Sequence, residues 1–325
     1  MSWRRIIVGL AAFLAATASA VAQDWPRRPL TLVVTFAAGG PNDVVARILA
    51  SRMSEVLGQP VIIENIAGAG GMTGVSRVAN ASPDGYQFVI AGPGLYAYNQ
   101  TLYKNPLYNA ATDFAPVGLF AEGPPILITR NDLPVSNLKE FIGYAKQNQG
   151  KMLFGSGGAG SGAHITCVLL NSVIGANVMH VPYRGGGPAM QDPQGGRVDY
   201  MCDNTTTALP QIEGKAVKAI ATLALERTPA LPDLPTAHEQ GLANFDCSQA
   251  MAFLLPKGTP EAIVRRLNKA MRDALDTPAV RERLSGLGMS VVPLERRTPE
   301  FLAKFIPSEI AKWAGPIKAS GVSMD

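Results

Sequence analysis

Leu30-Thr31-Leu32-Val33-Val34-Thr35-Phe36-Ala37-Ala38-Gly39-Gly40-Pro41-Asn42-Asp43 is an apolar strand that runs into a glycine-rich turn. Behind it Val44, Val45, Ile48, Leu49, Met53, Val56 and Leu57 recur at helical spacing up to a stop at Gly58, and Val61-Ile62-Ile63-Glu64 reads as a second strand. The stretch is a β-α-β unit. Its turn leaves the first N–H groups of the helix unpaired and presents the positive end of the helix dipole, an arrangement suited to an anion. The second half of the chain repeats the device: Phe154-Gly155-Ser156-Gly157-Gly158-Ala159-Gly160-Ser161-Gly162-Ala163-His164 again follows a short apolar run and opens an apolar-periodic helix. Two such junctions in two halves of one chain suggest a clamp on a small carboxylate.

Working outward, the alternation continues. After the turn Ala67-Gly68-Ala69-Gly70-Gly71 comes a short helix, then Pro83-Asp84-Gly85 and a strand from Gln87 to Ala91. Strands over 126–130, 152–155, 178–181, 198–201 and 217–223 are separated by helices over 136–148 and 161–174, a short one near Pro188, and one over 206–212. Three helices, each with a proline at its start, occupy 261–276, 278–287 and 299–312. Repeated βα units with short loops predict a mostly parallel sheet flanked by helices in each half.

The length of 325 residues exceeds the ~100–200 of one domain, so two lobes with separate cores are expected. Residues 1–22 read as a signal peptide: Arg4 and Arg5 begin it, Ile6 to Ala16 form an apolar centre short of the ~20 residues of a spanning helix, and Ala20-Val21-Ala22 is an A-x-A cleavage site. Two of the four units of the +4 net charge sit in that leader, leaving too little dispersed charge to imply nucleic acid. Export allows a disulfide among Cys167, Cys202 and Cys247. Placement of Cys167 and Cys202 in one lobe makes them the pair and leaves Cys247 free; three unpaired core cysteines are the alternative.

Gly155-Ser156-Gly157-Gly158-Ala159-Gly160 matches the dinucleotide fingerprint G-x-G-x-x-G, but that fingerprint needs an acid about 20 residues on, and no Asp or Glu occurs from Phe141 to Gln191. The same absence keeps fixed negative charge away from an anion at Ser161. Plain tight turns are the bland reading of these glycines. Catalysis finds little support: His164, His180 and His238 lack metal-ligand spacing, and no G-x-S-x-G elbow surrounds Ser156 or Ser161. No catalytic residue, metal or cofactor is expected. Tyr183 and Arg184, and Asp203 with Asn204 on the next strand, fall at strand carboxyl ends, where ligands of open α/β sheets bind. Arg184 faces either a ligand carboxylate or a surface partner, and Asp43 reads as a helix N-terminal acid beside the pocket.

Phe36-Ala37-Ala38-Gly39-Gly40-Pro41-Asn42-Asp43-Val44-Val45-Ala46-Arg47, Leu57-Gly58-Gln59-Pro60-Val61-Ile62-Ile63-Glu64-Asn65, Ser82-Pro83-Asp84-Gly85-Tyr86, His180-Val181-Pro182-Tyr183-Arg184-Gly185 and Pro229-Ala230-Leu231-Pro232-Asp233-Leu234-Pro235-Thr236 closely resemble the Bug family of extracytoplasmic solute receptors. These are the binding-protein components of tripartite tricarboxylate transporters. The resemblance covers essentially the whole chain after the leader. It implies an α/β two-lobed periplasmic binding protein (Venus flytrap, type II-like) hinged by crossing strands, with lobe 1 over 23–123 and 248–325 and lobe 2 over 124–247. The implied ligand is a small carboxylate delivered to integral-membrane transporter subunits by a periplasmic monomer. The implied contacts are Phe36, Ala37, Ala38, Gly39 and Gly40 on one side, and Ser156, Ala159, Gly160, Ser161, Gly162 and His164 on the other. The family more often has proline where this chain has Ala37 or Ala38, and Asp192-Pro193-Gln194 replaces a smoother helical run. A periplasmic hydrolase and a receptor that serves signalling are the rival functions.

Overall fold

The computed structural model describes residues 25–325, so the leader predicted over 1–22 lies outside the described residues. Strand β1 (Leu30–Val34) runs into α1 (Pro41–Leu57) and β2 (Val61–Asn65), and α2 (Met72–Ala79) leads to β3 (Gln87–Ala91). A π-turn over Gly94–Tyr98, the short α3 (Asn99–Leu102) and the long β4 (Phe114–Gly123) follow. A second run begins at β5 (Pro125–Thr129): α4 (Leu138–Asn148), β6 (Leu153–Ser156), α5 (Gly162–Ile174), β7 (Met179–Pro182), α6 (Gly186–Gln194), β8 (Tyr200–Asn204), α7 (Thr205–Glu213) and β9 (Lys218–Thr222). The chain returns through β10 (Gln249–Pro256) to α8 (Glu261–Leu275), α9 (Pro278–Ser285), β11 (Ser290–Val291) and α10 (Pro299–Ala319).

Among the described residues the strands form two sheets, in the orders β11-β4-β10-β3-β1-β2 and β7-β6-β8-β5-β9. Side chains of β1 alternate as a strand must: Leu30, Leu32 and Val34 enter the core shared with α1 and α8, while Val33 points into the core on the other face. Helices cover both faces, so the strand reads as one continuous apolar run. Helix α1 contributes Val45, Ile48, Leu49, Met53 and Leu57 to the same core, each worth about 1.5–3 kcal/mol on full burial. Pro41 opens this helix, and Gly58, at φ 69°, stops it in the left-handed conformation that glycine adopts without strain.

The α/β class and the two sheets agree with the sequence reading, but the sheets are mixed and not mostly parallel. The β1–β2, β1–β3, β6–β7 and β6–β8 pairs are parallel, whereas β10 lies antiparallel to β3 and β4, and β5 antiparallel to β8 and β9. The reason is the crossing. The chain leaves the first sheet at Gly123, enters the second at Pro125, and comes back along β10, antiparallel to β4 from Phe114 to Gly123. Neither β4 nor β10 was expected as a strand. All of β10 is buried, which removes the alternation, and two register shifts break the period where it pairs with β4.

Cys167 on α5 and Cys202 on β8 are joined as a disulfide with Cα atoms 5.5 Å apart, and Cys247 is buried and unpaired. The cross-link spans 35 positions, for which the chain-entropy relation gives about 3–4 kcal/mol. Replacing both cysteines with alanine is expected to lower the unfolding free energy in urea by about that amount. Non-reducing peptide maps of the unaltered protein should yield the linked pair and alkylated Cys247. Separate alkylation of Cys167 and Cys202 would contradict the assignment.

Candidate functional site

The carboxyl ends of the two sheets face each other across a cavity of about 50 Å³, room for a few waters or the head of a small acid. Four helices begin at its wall: α1 at Pro41 and Asn42, α5 at Ser161 to Ala163, α6 at Gly186, and α7 just after Asn204. Sequence reasoning found two of them. The N-caps of α1, α6 and α7 (Gly40, Gly185 and Asn204) make no side-chain capping bond, so the first N–H groups of those helices have no side-chain cap. Ser161 differs: its hydroxyl accepts the His164 N–H at 3.3 Å while also lining the cavity. Among the described residues no Lys or Arg lines the chamber, so the field favouring an anion is that of backbone dipoles.

The loop after β1 is braced from behind by Asp43. Its carboxylate accepts from Gly39 N–H at 3.0 Å, from Arg47 Nε and Nη2 at 2.9 Å each, and from Asn65 Nδ2 at 3.0 Å. Asn65 Nδ2 also lies 3.0 Å from Phe36 O, tying the strand end to the same group. Burial acts to raise the Asp43 pKa, but the bonds from Arg47, Gly39 and Asn65 outweigh it and hold the carboxyl below its ordinary value. Asp43 therefore shapes the pocket and does not line it.

The two halves touch through backbone. Ala37 N–H donates to Arg184 O at 3.0 Å, and Tyr103 OH donates to Ala159 O at 3.2 Å. Glycine makes this approach possible: a Cβ on Gly70 would lie 1.8 Å from Ala159 O, and one on Gly94 would lie 2.6 Å from Gly160 O. The arrangement is closed.

Of the residues expected at the ligand, Phe36, Ser161, Gly162 and Asp203 line the cavity. Ala37 and Gly39 spend their N–H groups on Arg184 and Asp43, Ala38 is exposed, and Gly40 is buried as the α1 cap. Ala159, Tyr183 and Arg184 line a neighbouring cleft of about 370 Å³ that shares Phe36 and Gly157 with the cavity. Gly160 N–H donates to His164 Nδ1 at 3.1 Å, so both belong to the support behind Ser161. Asn204, named with Asp203 at the end of its strand, lines the cavity as well, whereas sequence reasoning missed Asn42, Gly94 and Gln249. Asn42 stands beside residues it had singled out, and Gly92-Pro93-Gly94 follows a recognised strand. Gln249 gave no signal, because it sits on the unrecognised β10.

Ser156 Oγ lies 2.7 Å from His180 Nε2, the one Ser–His pairing that bears on hydrolysis. Ser156 is fully buried outside the cavity wall, and among the described residues no carboxylate bonds to His180, so the pair is not poised as a nucleophile. Burial lowers the His180 pKa to about 4; burial, then the charge of His180, lowers that of His164 to about 3. The two rings lie 4.1 Å apart, and Phe154 stacks on His180 at 4.8 Å. Asp203 is the opposite case: burial raises its pKa to about 6, against the bonds from Thr207 and Asn204 N–H.

A family model described as the tripartite tricarboxylate transporter family receptor matches residues 45–322. An Agrobacterium vitis protein, the UPF0065 protein in the TAR-I ttuE-ttuC' intergenic region, is 38% identical over 321 residues, covering 99% of this chain and 92% of that protein. Among solved structures, the periplasmic binding protein BugD superposes with TM-score 0.90 at 40% identity, covering 93% of this chain and 100% of that one. MatC of Rhodopseudomonas palustris, solved with bound malate, gives TM-score 0.88 at 40% identity over 90% of this chain and 100% of its own. Rpa4515 of R. palustris, solved with adipate, gives TM-score 0.88 at 33% identity over 92% and 99%.

The buried histidines set a pH dependence. Both stay neutral in the folded protein while the unfolded chain takes up protons below its ordinary histidine pKa of about 6.5. Their contribution to stability is complete above that value and falls away as pH drops toward about 4 and then about 3. Asp203, protonated below about 6 in the fold, works in the opposite sense. The ring carbon-bound protons of His164 and His180 are expected to hold constant NMR shifts from pH 7.5 to 5. A midpoint near 6.5 at either ring would refute the assignment.

Proposed function

The chain belongs to the tripartite tricarboxylate transporter receptor family, and we propose that it captures a small carboxylate between two lobes and delivers it to the membrane subunits of such a transporter. It is a solute-binding receptor and not an enzyme. The observation that carries the ligand class is the convergence of four helix N-termini on one cavity whose lining, among the described residues, includes no Lys or Arg. Hydrogen bonds to a charged group contribute about 1.5–3 kcal/mol each, and micromolar affinity needs about 8 kcal/mol net, so four or five such bonds suffice after ordering costs. Malate in MatC and adipate in Rpa4515 are both dicarboxylates, which supports the same class here.

The lobes in this reading are residues 23–123 with 248–325, and 124–247, moving about β4, β10 and the segment at Pro124. The contacts proposed are Phe36, Ser161, Gly162, Asp203 and Asn204 from the sequence reading, joined by Asn42 and Gln249, with the Arg184 cleft open to a longer tail. The leader ends at Ala22 and the receptor works as a periplasmic monomer. No helix among the described residues is long and apolar enough to cross a membrane.

Thermal-shift screening of small mono- and dicarboxylic acids tests the proposal. At least one acid is expected to raise the melting temperature with concentration, by roughly 5 °C at a hundred-fold excess over Kd. A flat response across the panel from ligand-free protein would sink the carboxylate reading.

Closure can be tested on its own. Gly70→Ala puts a methyl against Ala159 O, whereas Gly39→Ala meets nothing within 4 Å at a comparable positive φ, 80° against 61°. The first is expected to weaken binding of the identified acid about ten-fold or more, in line with the 1–3 kcal/mol cost of overpacking, and the second only slightly. Equal affinities in titration calorimetry would mean that ligand binding does not use this closed contact.

A further inference from the structure

We infer that Asn99 holds the ligand-free receptor open, because its amide loses water without gaining a partner when the two lobes close. This rests on the reading of capture between two lobes, and not on which acid is captured. Asn99 begins α3, in lobe 1 of the proposed division, and is fully buried, yet neither its Oδ1 nor its Nδ2 has a hydrogen-bond partner. What covers it comes from the other lobe: a Cβ on Gly160 would stand 2.4 Å from Asn99 Oδ1 and 3.1 Å from the Tyr103 ring. Local explanations fail. The residues before Asn99 are already helical, and no side chain caps the start of α3. The Tyr108 hydroxyl lies beside the amide outside hydrogen-bond geometry and donates to Leu95 O at 2.6 Å, so it has no proton left for Oδ1.

The other contacts along this seam favour closure. Tyr103 OH donates to Ala159 O and Ala37 N–H to Arg184 O, bonds that form whether or not a ligand lies between the lobes. A receptor that closes while empty shuts its solute out. Withdrawing Gly160 gives the Asn99 amide back to water, which supplies the bonds that the closed state denies it. An unpaired buried amide costs at least as much as a neutral hydrogen bond contributes, so Asn99 offsets one or both of the favourable contacts. The ligand's own bonds then supply the difference, and the closed state becomes populated only with ligand in place. Packing does not demand an amide here. Leu95 and Leu102, four residues before and three after, are buried as well, so an apolar side chain would suit the surroundings.

Small-angle scattering of ligand-free protein tests the inference without any ligand. The radius of gyration of the unaltered protein is expected to exceed that of the closed structure. Asn99→Ala, which removes the amide and adds no bulk, is expected to shrink toward the closed value. Asn99→Asp keeps the shape and adds a charge that is costlier to bury, so it is expected to stay open. Titration calorimetry with malate and with adipate gives a second reading. At least one of these acids is expected to bind Asn99→Ala about five-fold or more tightly than the unaltered protein, and Asn99→Asp at least ten-fold more weakly. A residue that only packs predicts the opposite for alanine, a loosened seam that binds more weakly with unchanged scattering, and that result overturns the inference. So does unaltered protein that is as compact without ligand as the closed structure, or an Asn99→Asp protein that binds as tightly as the unaltered one. Binding of neither acid counts against the ligand proposed above, and the ligand-free scattering then decides the role of Asn99 by itself.

Discussion

A helix that follows a strand begins at the strand's carboxyl edge, and its first N–H groups find no partner within the helix. The rest of this molecule can be read as a consequence of how those groups are left unsatisfied. Four helix starts, from α1, α5, α6 and α7, reach one cavity, and three of their caps supply no side-chain acceptor. In the proposed carboxylate reading, anion selectivity comes from backbone geometry, which needs no buried cation and avoids the desolvation that a buried Lys or Arg would bring.

Backbone recognition demands close approach, and close approach explains the glycines. Gly70 and Gly94 on one side meet Ala159 and Gly160 on the other at distances that leave no room for a methyl group. The loops that approach must also be stiff, because a hydrogen-bond donor displaced by an ångström donates to nothing. Asp43 supplies that stiffness after β1 by gathering Gly39, Arg47 and Asn65, and Ser161 with His164 supplies it at the start of α5. The buried chemistry behind the loops, including the neutral histidine pair and the Ser156–His180 contact, serves that positioning.

The alternation of apolar strand and apolar-periodic helix made most elements legible, because burial on one helix stripe or on two strand faces leaves a period in the sequence. It failed at β4 and β10. Those strands are where the two sheets exchange chain, and full burial together with register shifts erases the period there. That failure hid the antiparallel pairs of the first sheet, which all involve β4 or β10, while β5 was recognised as a strand but its direction against β8 and β9 was not.

The sequence by itself determined the α/β class, the family resemblance and two of the anion-facing junctions, because each is written in a contiguous run of residues. The Cys167–Cys202 pairing was legible too, from the expected placement of both residues in one lobe. Only the tertiary structure decided which residues meet. Phe36, Ser161, Gly162 and Asp203 reach the cavity, while Ala38, Tyr183 and Arg184 do not, since a glycine-rich loop of given sequence can aim its N–H groups inward or spend them on a neighbouring carbonyl. Gln249 and the α6 and α7 starts join the site because the crossing strands fold one sheet's carboxyl edge onto the other's, and that long-range placement depends on the whole chain's packing.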